Sequence, residues 1–552
     1  MRTGAAVMAT LREYGADTVF GIPGVHTLEY FRGLSEQGPH VVPGGVGGRP
    51  PTGMRIVLPR HEQGAAFMAD GYARATGRPA VCCVISGPGL TNAATGIGQA
   101  YADSVPMFVL ASVTASHTLG RGRGQLHECK EQRLIAEPIT GLALRAESVA
   151  ELPELLARAW GALTSGRPRP VYLEVPIDVL AEEVGDGWRP VPPIRPAVEP
   201  PSAEALDEAA RLLAGAERPA VLVGGGAGGA SEQVRELLRR VPAVLLSTVA
   251  GKGIVPDDDP LCAGQALKRV AVREWLADRD VVLAVGTELA STDITADVLP
   301  LKGRLVRIDV DPAHLPGDYP DALCLQADAA WALDRILERL PAKDDDGARA
   351  RAEARELREL AAAAAPSYRG WHTRVLDAVF AGIPDDARVY SDMTQLAYTG
   401  TQVVPMRAPR RWLHPSGFGT LGYAVPAAVG AAVADPDVPA VAIVGDGGLL
   451  YTAQEIVTAA ELGLPLVVVL WNNEALGQIR DDMVARGIEP VAVTPAPPDF
   501  SGLAAAMGAA VEAPARLADV PAAVERAVRR RGPVLVRLDE AVLAESEGEV
   551  RR

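Results

Sequence analysis

The stretch PAVAIVGDGGLL, residues 439–450, runs a short apolar segment straight into an acid set among glycines. An apolar run bounded by proline and glycine reads as a strand buried on both faces, the kind found in parallel sheets. In such sheets ligands bind outside the carboxyl ends of the strands, where glycines let backbone amides approach and the next helix N-terminus favours anions. A carboxylate beside a phosphate repels it unless a divalent cation lies between them, and a hard cation such as Mg2+ takes oxygen ligands. The following apolar run, PLVVVLW, opens into NNEALG and brings Asn473, 27 positions after Asp446, to the same sheet edge. Taken singly, Asp446 also reads as a helix cap and Asn473 as a turn residue. Taken together, at neighbouring strand ends, they suit one metal holding a diphosphate.

The same alternation extends outward in both directions. The runs PAVCCVIS, PMFVLAS, PAVLVGG and DVVLAVG each precede or follow an amphipathic stretch, which specifies an α/β fold of parallel sheets flanked by helices. The unit around Asp446 has a counterpart near the N-terminus, PAVCCVISGPGLTNAATGIGQAYADSVPMFVLAS. Gly87 to Pro106 spans 19 positions there, and Gly445 to Pro465 spans 20. Read as a duplication, two similar domains flank a different middle one, and Pro88 stands where the other copy has Asp446. Common α/β grammar would produce a similar agreement. A proline-rich stretch at 185–205 and an acidic, then helix-favouring stretch at 342–369 read as linkers. They divide the chain into domains at 1–184, 206–341 and 370–552. The glycine- and proline-rich stretch 38–53 reads as an insertion in the first.

With 552 residues, 48% hydrophobic and 22% charged, the chain has the composition of a globular protein with a large core. No apolar run approaches the roughly 20 residues that cross a bilayer, and Arg12 and Glu13 interrupt the N-terminal stretch before a secretory signal could form. Five cysteines without CxxC spacing point to a reducing compartment, so a cytoplasmic location is expected. A net charge of −15, with no basic cluster to offset it, argues against nucleic acid as a partner.

GDG followed at this interval by NN, each closing an apolar strand, resembles the signature of thiamine diphosphate (ThDP) enzymes. The rest of the chain is similar to their acetolactate synthase and 2-oxoacid decarboxylase branch. That resemblance implies a pyrimidine-binding domain first, a Rossmann-like domain in the middle and a diphosphate-binding domain last. It implies Mg2+ on Asp446, Asn473 and the carbonyl of Ala475, with Gly445, Gly447, Gly448, Leu476 and Gly477 along the diphosphate. In RHEQGAAFMADGYAR, 60–74, Glu62 alone reads as an acid capping a helix. The resemblance makes it the glutamate that hydrogen-bonds the cofactor's aminopyrimidine. In SGFGTLGYAVP, 416–426, it assigns the Gly419 carbonyl to the amino group and the Leu421 side chain to the bend of the cofactor. Ser86, Gly87, Pro88 and Asn92 fall on the pyrimidine side, Thr394 and Gln395 on the diphosphate side. The two halves of a site come from different subunits in this family, which implies a homodimer or a dimer of dimers.

The remaining candidates concern the small-molecule 2-oxoacid. A histidine beside the reacting carbon can deliver a proton near neutral pH, so His127 of LHE and His26 of PGVH, next to Val25, are candidate catalytic residues. Each also reads as a packing or surface histidine. The helix after WNN, which faces the substrate tail in relatives, carries Gln478 and Asp482 at i and i+4. Asp481 and Asp482 read either as solvated charges or as a carboxylate pair that clamps a guanidinium. The stretches GIPGVHTLE, GQLHE, SDMTQLAYTG, GTLGY and LGQIRDDM most resemble decarboxylases of 5-guanidino-2-oxopentanoate. The expected reaction is therefore its non-oxidative conversion to 4-guanidinobutanal and CO2. An acetolactate synthase-like carboligase is the second expectation, and a non-catalytic ThDP-binding regulatory protein the third. In the middle domain Gly224, Gly226 and Gly229 stand in GxGxxG register, but the next strand ends without the acid that a dinucleotide ribose needs. Neither NAD nor FAD is expected there.

Overall fold

A computed structural model of the protein describes residues 1–35, 53–341, 345–363, 366 and 368–548. The insertion expected at 38–53 lies, apart from Gly53, outside the described residues, as do 342–344 in the second expected linker. The chain divides into two compact units. One comprises Met1–Pro196, Ala381–Ala397 and Pro415–Arg552, the other Ala197–Phe380 and Tyr398–His414.

In the first unit β1 (Thr18–Gly21), β2 (Arg55–Val57), β3 (Ala80–Val84), β4 (Met107–Val113), β5 (Leu142–Arg145) and β6 (Val171–Pro176) form a parallel sheet in the order β2-β1-β3-β4-β6-β5. Every residue of β3, β4 and β6 is buried. Alternate side chains such as Val81, Cys83, Phe108, Leu110 and Leu173 share one core, the two-residue period of a strand covered on both faces.

The second unit contains β7 (Pro219–Val223), β8 (Val244–Ser247), β9 (Cys262–Gly264), β10 (Val281–Val285), β11 (Arg304–Asp309), β12 (Leu323–Gln326) and the short β14 (Trp412–Leu413). Strands β7 to β12 pair in the order β12-β11-β10-β7-β8-β9, the 3-2-1-4-5-6 path of doubly wound nucleotide-binding folds. Its glycine turn nevertheless spends its amides internally. Gly224 and Gly226 donate to the carbonyls of Val285 and Gly286 at 2.9 and 3.0 Å, and Ala227 and Gly228 donate to Gly224 and Gly225. A Cβ on Gly224 would stand 2.4 Å from the Gly286 carbonyl oxygen. Close approach of two loops thus accounts for Gly224 and Gly226, both of which pack against Gly286.

The third sheet returns to the first unit. Its strands β13 (Arg388–Ser391), β15 (Ala440–Gly445), β16 (Leu466–Asn472), β17 (Ala510–Glu512) and β18 (Pro533–Asp539) pair in the order β13-β15-β16-β18-β17, all parallel. This is the path β1-β3-β4-β6-β5 repeated, so the duplication extends beyond one βαβ unit to the sheet itself. The copies meet through two helices, Glu62–Thr76 and Ala424–Ala434. A Cβ on Gly71 would lie 1.9 Å from the Ala427 carbonyl oxygen, and one on Gly430 1.9 Å from that of Met68. These reciprocal glycines set the closeness of the two helices, and each helix begins at a candidate site segment.

Candidate active site

The sheet register pairs Gly445 with Trp471, so Asp446 stands beside Asn472 and Asn473 where β15 and β16 end. The neighbouring asparagines diverge. Asn472 donates to the Asp539 carboxylate at 2.7 Å, whereas Asn473 turns its Oδ1 to the Ala475 amide at 3.2 Å. Asp446 is 7% exposed. Its carboxylate accepts from the Gly447 amide at 2.9 Å and from the amides of Glu474 and Ala475, and burial pushes its pKa up. Glu474 takes a left-handed φ of 55° to make that turn.

A glycine wall completes this end. A Cβ on Gly445 would meet the Thr394 hydroxyl at 3.0 Å, one on Gly447 Leu476 at 3.0 Å, and one on Gly448 Asp392 at 3.1 Å. On Gly477 it would lie 2.7 Å from both Asn473 and Gln395. Thr394, Gln395, Gly445, Gly447, Gly448, Asn473, Leu476 and Gly477 are therefore neighbours, though widely spaced in sequence. Asp392 is fully buried, accepts from the amides of Met393, Gly422 and Ala424, and has its pKa pushed up to about 6 by burial. It anchors the segment bearing Leu421, which is half-buried, and Gly419, which is exposed with φ 70°. No group of three His, Cys, Asp or Glu forms a metal cluster among the described residues. One buried carboxylate, an amide oxygen and a carbonyl beside a glycine wall fit a hard cation whose remaining ligands are phosphate oxygens.

On the other copy, Glu62 opens the helix Glu62–Thr76, with His61 as its N-cap. Asn92, from the helix Pro88–Ala102, donates to Glu62 Oε2 at 3.0 Å. Sequence reasoning named both residues but not their bond. It missed Glu455 altogether. That carboxylate accepts from the amides of Arg60 and His61, each at 3.1 Å, and from the Thr458 hydroxyl at 2.9 Å. Burial pushes its pKa up to about 7. The available signal was an acid opening the otherwise apolar turn EIVTAA.

On the substrate-facing candidates, His26 Nδ1 is hydrogen-bonded to the Ser86 hydroxyl, and the rings of His26 and His127 meet edge to face with centroids 5.2 Å apart. Burial, and then the neighbouring His127, lower the pKa of His26. His127 adopts φ 62°, and its Nδ1 is buried without a partner. Val25 is 62% exposed and Pro88 is exposed. Gln478 donates to Asp482 at 3.0 Å, while Asp481 accepts from Gln395 at 2.7 Å and pairs with Arg480 at 3.3 Å. The adjacent acids thus engage different partners, Asp481 being tied to the segment that carries Gln395.

Three family descriptions match the chain in order. The N-terminal TPP binding domain of thiamine pyrophosphate enzymes matches 1–134, the central domain 206–336 and the C-terminal TPP binding domain 392–538. A probable 2-ketoarginine decarboxylase of Pseudomonas aeruginosa is 50% identical over 98% of this chain and 94% of its own. Acetolactate synthase isozyme 1 large subunit of Escherichia coli is 31% identical over 97% and 93%. The acetolactate synthase large subunit of Corynebacterium glutamicum is 32% identical over 87% and 76%. With matches across all three sheets and a relative this similar over nearly its whole length, the chain belongs to the thiamine pyrophosphate enzyme family.

Proposed function

We propose that the protein is a ThDP- and Mg2+-dependent decarboxylase that converts 5-guanidino-2-oxopentanoate to 4-guanidinobutanal and CO2. The cradle of Asp446, Asn473 and glycines on one copy, together with Glu62 held by Asn92 on the other, is the observation that supports cofactor use. The similarity to a probable 2-ketoarginine decarboxylase supports the substrate. When bound, ThDP supplies an electron sink for the bonding pair released as CO2 leaves. Asp446, Asn473 and the Ala475 carbonyl hold Mg2+, while Thr394, Gln395, Gly445, Gly447, Gly448, Leu476 and Gly477 line the diphosphate. Glu62, oriented by Asn92, holds a proton at the aminopyrimidine ring, with Ser86, Gly87, Pro88, Gly419 and Leu421 around it.

His26 and His127 serve the substrate side. A lowered pKa keeps His26 largely neutral at pH 7, so it moves a proton through its second ring nitrogen. Asp482, held by Gln478, takes the guanidinium, and Val25 offers an apolar surface to the substrate's methylenes. Asp481 belongs to the same helix, its carboxylate shared with Gln395. The reaction is non-oxidative and needs no flavin. We place it in the cytoplasm, in a homodimer or dimer of dimers whose sites form between subunits.

The deciding experiment offers purified protein, ThDP and Mg2+ either 5-guanidino-2-oxopentanoate or pyruvate and measures CO2, aldehyde and acetolactate. CO2 and 4-guanidinobutanal from the guanidino acid are expected. Acetolactate from pyruvate, without turnover of the guanidino acid, would replace this reading with the carboligase suggested by the acetolactate synthases.

A further inference from the structure

Beneath the turn Ser86–Gly87 lies a buried polar chain that none of the residues above uses. Gln132 is 2% exposed, and its Oε1 accepts from the Gly87 amide at 2.7 Å. Its Nε2 donates to the Ser112 carbonyl at 2.8 Å and to the Tyr172 hydroxyl at 2.7 Å, with Glu174 Oε2 at 3.1 Å. The Gly87 N–H can only donate and the Ser112 carbonyl can only accept, so the amide has one orientation. Tyr172 in turn donates to Glu174 at 2.6 Å, and Arg145 bridges Glu174 to Glu131. Above Gln132, a Cβ on Gly87 would stand 2.6 Å from the His127 carbonyl oxygen, and Ser86 holds His26.

We infer that Gln132 is a positioning residue: it locks Gly87 to the buried Tyr172–Glu174–Arg145 chain and thereby sets how His26 and His127 face each other. Losing the acceptor would leave the buried Gly87 amide unsatisfied, and the turn would move to find a partner. Both histidines rest on that turn, so both would move with it.

The kinetic arm of the test rests on the proposed decarboxylase reading; the spectroscopic arm does not. In protein labelled at the histidine ring carbons, with signals assigned through His26→Gln and His127→Gln, Gln132→Met should shift both signals. It should also raise the His26 titration midpoint as the rings separate. Turnover of the 2-oxoacid should fall about 10–100-fold, the scale of a small misplacement of reacting groups. Gln132→Glu adds a diagnostic pH dependence. Its side chain can replace the amide only when protonated, because a carboxylate cannot donate to the Ser112 carbonyl. The groups facing position 132 are Tyr172, Glu174 and Arg145 on the strands, Tyr30 across the core, and Cys129 and Glu131 on its own loop. Burial beside Glu174 holds such a proton on, so this variant should approach the native spectrum and rate as pH falls. Unchanged His26 and His127 signals in both variants would overturn the inference. If Gln132→Met does not fold, Tyr172→Phe removes one partner of Nε2 and should move the same two signals in the same direction; no movement there overturns it equally.

Discussion

The turns after β3 and β15 occupy equivalent places in two copies of one sheet, yet they are built for opposite tasks. After β15, Asp446 follows the last strand residue directly and collects the amides of Gly447, Glu474 and Ala475. After β3, Pro88 opens the helix, Gly87 takes φ 62°, and its amide is spent on Gln132. One turn concentrates negative charge where a cation can offset it. The other carries no charge in the turn, and the nearest proposed acid of that copy, Glu62, sits on a separate helix. The same strand order thus carries two differently built turns, and the proposed function assigns the metal to the one that bears Asp446.

The largest test of that division is Glu62→Gln, expected to lower kcat by about 10²–10⁴-fold while ThDP affinity, measured by calorimetry, stays nearly unchanged. Equal losses in affinity and rate would break the division. Asp446→Asn should do the reverse and raise the Mg2+ concentration for half-saturation with ThDP by about 10–100-fold, read from a Mg2+ titration of cofactor binding. Asp482→Asn should raise KM for the guanidino acid about tenfold, the scale of one charge-assisted bond, and leave KM for a neutral analogue unmoved. Asp481→Asn should instead weaken cofactor binding through Gln395. Equivalent effects of the two substitutions would show that the helix does not divide substrate from cofactor.

Glu455 links the copies and carries a pH signature. Its pKa is pushed from 4.5 up to about 7 in the folded protein, so the native state holds this proton over a range where the unfolded chain has lost it. Stability therefore falls as pH rises from about 4.5 to about 7 and levels off above. Glu455→Gln should flatten that part of the Tm profile; an unchanged slope would remove Glu455 as its source. The smallest effect is expected from Pro88→Asp, which copies the acid of the second turn onto the first. Stability should stay within about 1 kcal/mol, since an acid suits a helix N-terminus, and the first turn should gain no Mg2+ site because it lacks a counterpart of Asn473.

Much of this was legible in sequence because it depends on local pattern. Apolar runs marked the strands, and GDGG with NN marked the ends of β15 and β16, whose register then brought Asp446 to Asn473. The duplication was visible in one βαβ spacing and emerged in full only as strand order. The middle-domain glycines lack the acid that a dinucleotide fingerprint needs, which is why no dinucleotide is expected there. The close approach of Gly224 and Gly226 to Gly286 is a tertiary contact that spacing along the chain does not reveal.

By itself the sequence determined the α/β architecture and marked the candidate acids, because strand burial, glycine turns and helix starts are set by neighbours along the chain. Only the tertiary structure decided which side chains are partners. Gln132 reaches Gly87 across 45 positions, Asp481 reaches Gln395 across 86, and Glu455 reaches Arg60 across 395. Adjacent acids such as Asp481 and Asp482 look alike in sequence. The fold gives one of them the Gln395 amide, 86 positions away, and the other Gln478 on its own helix, because polar groups pair with whatever the fold brings within reach.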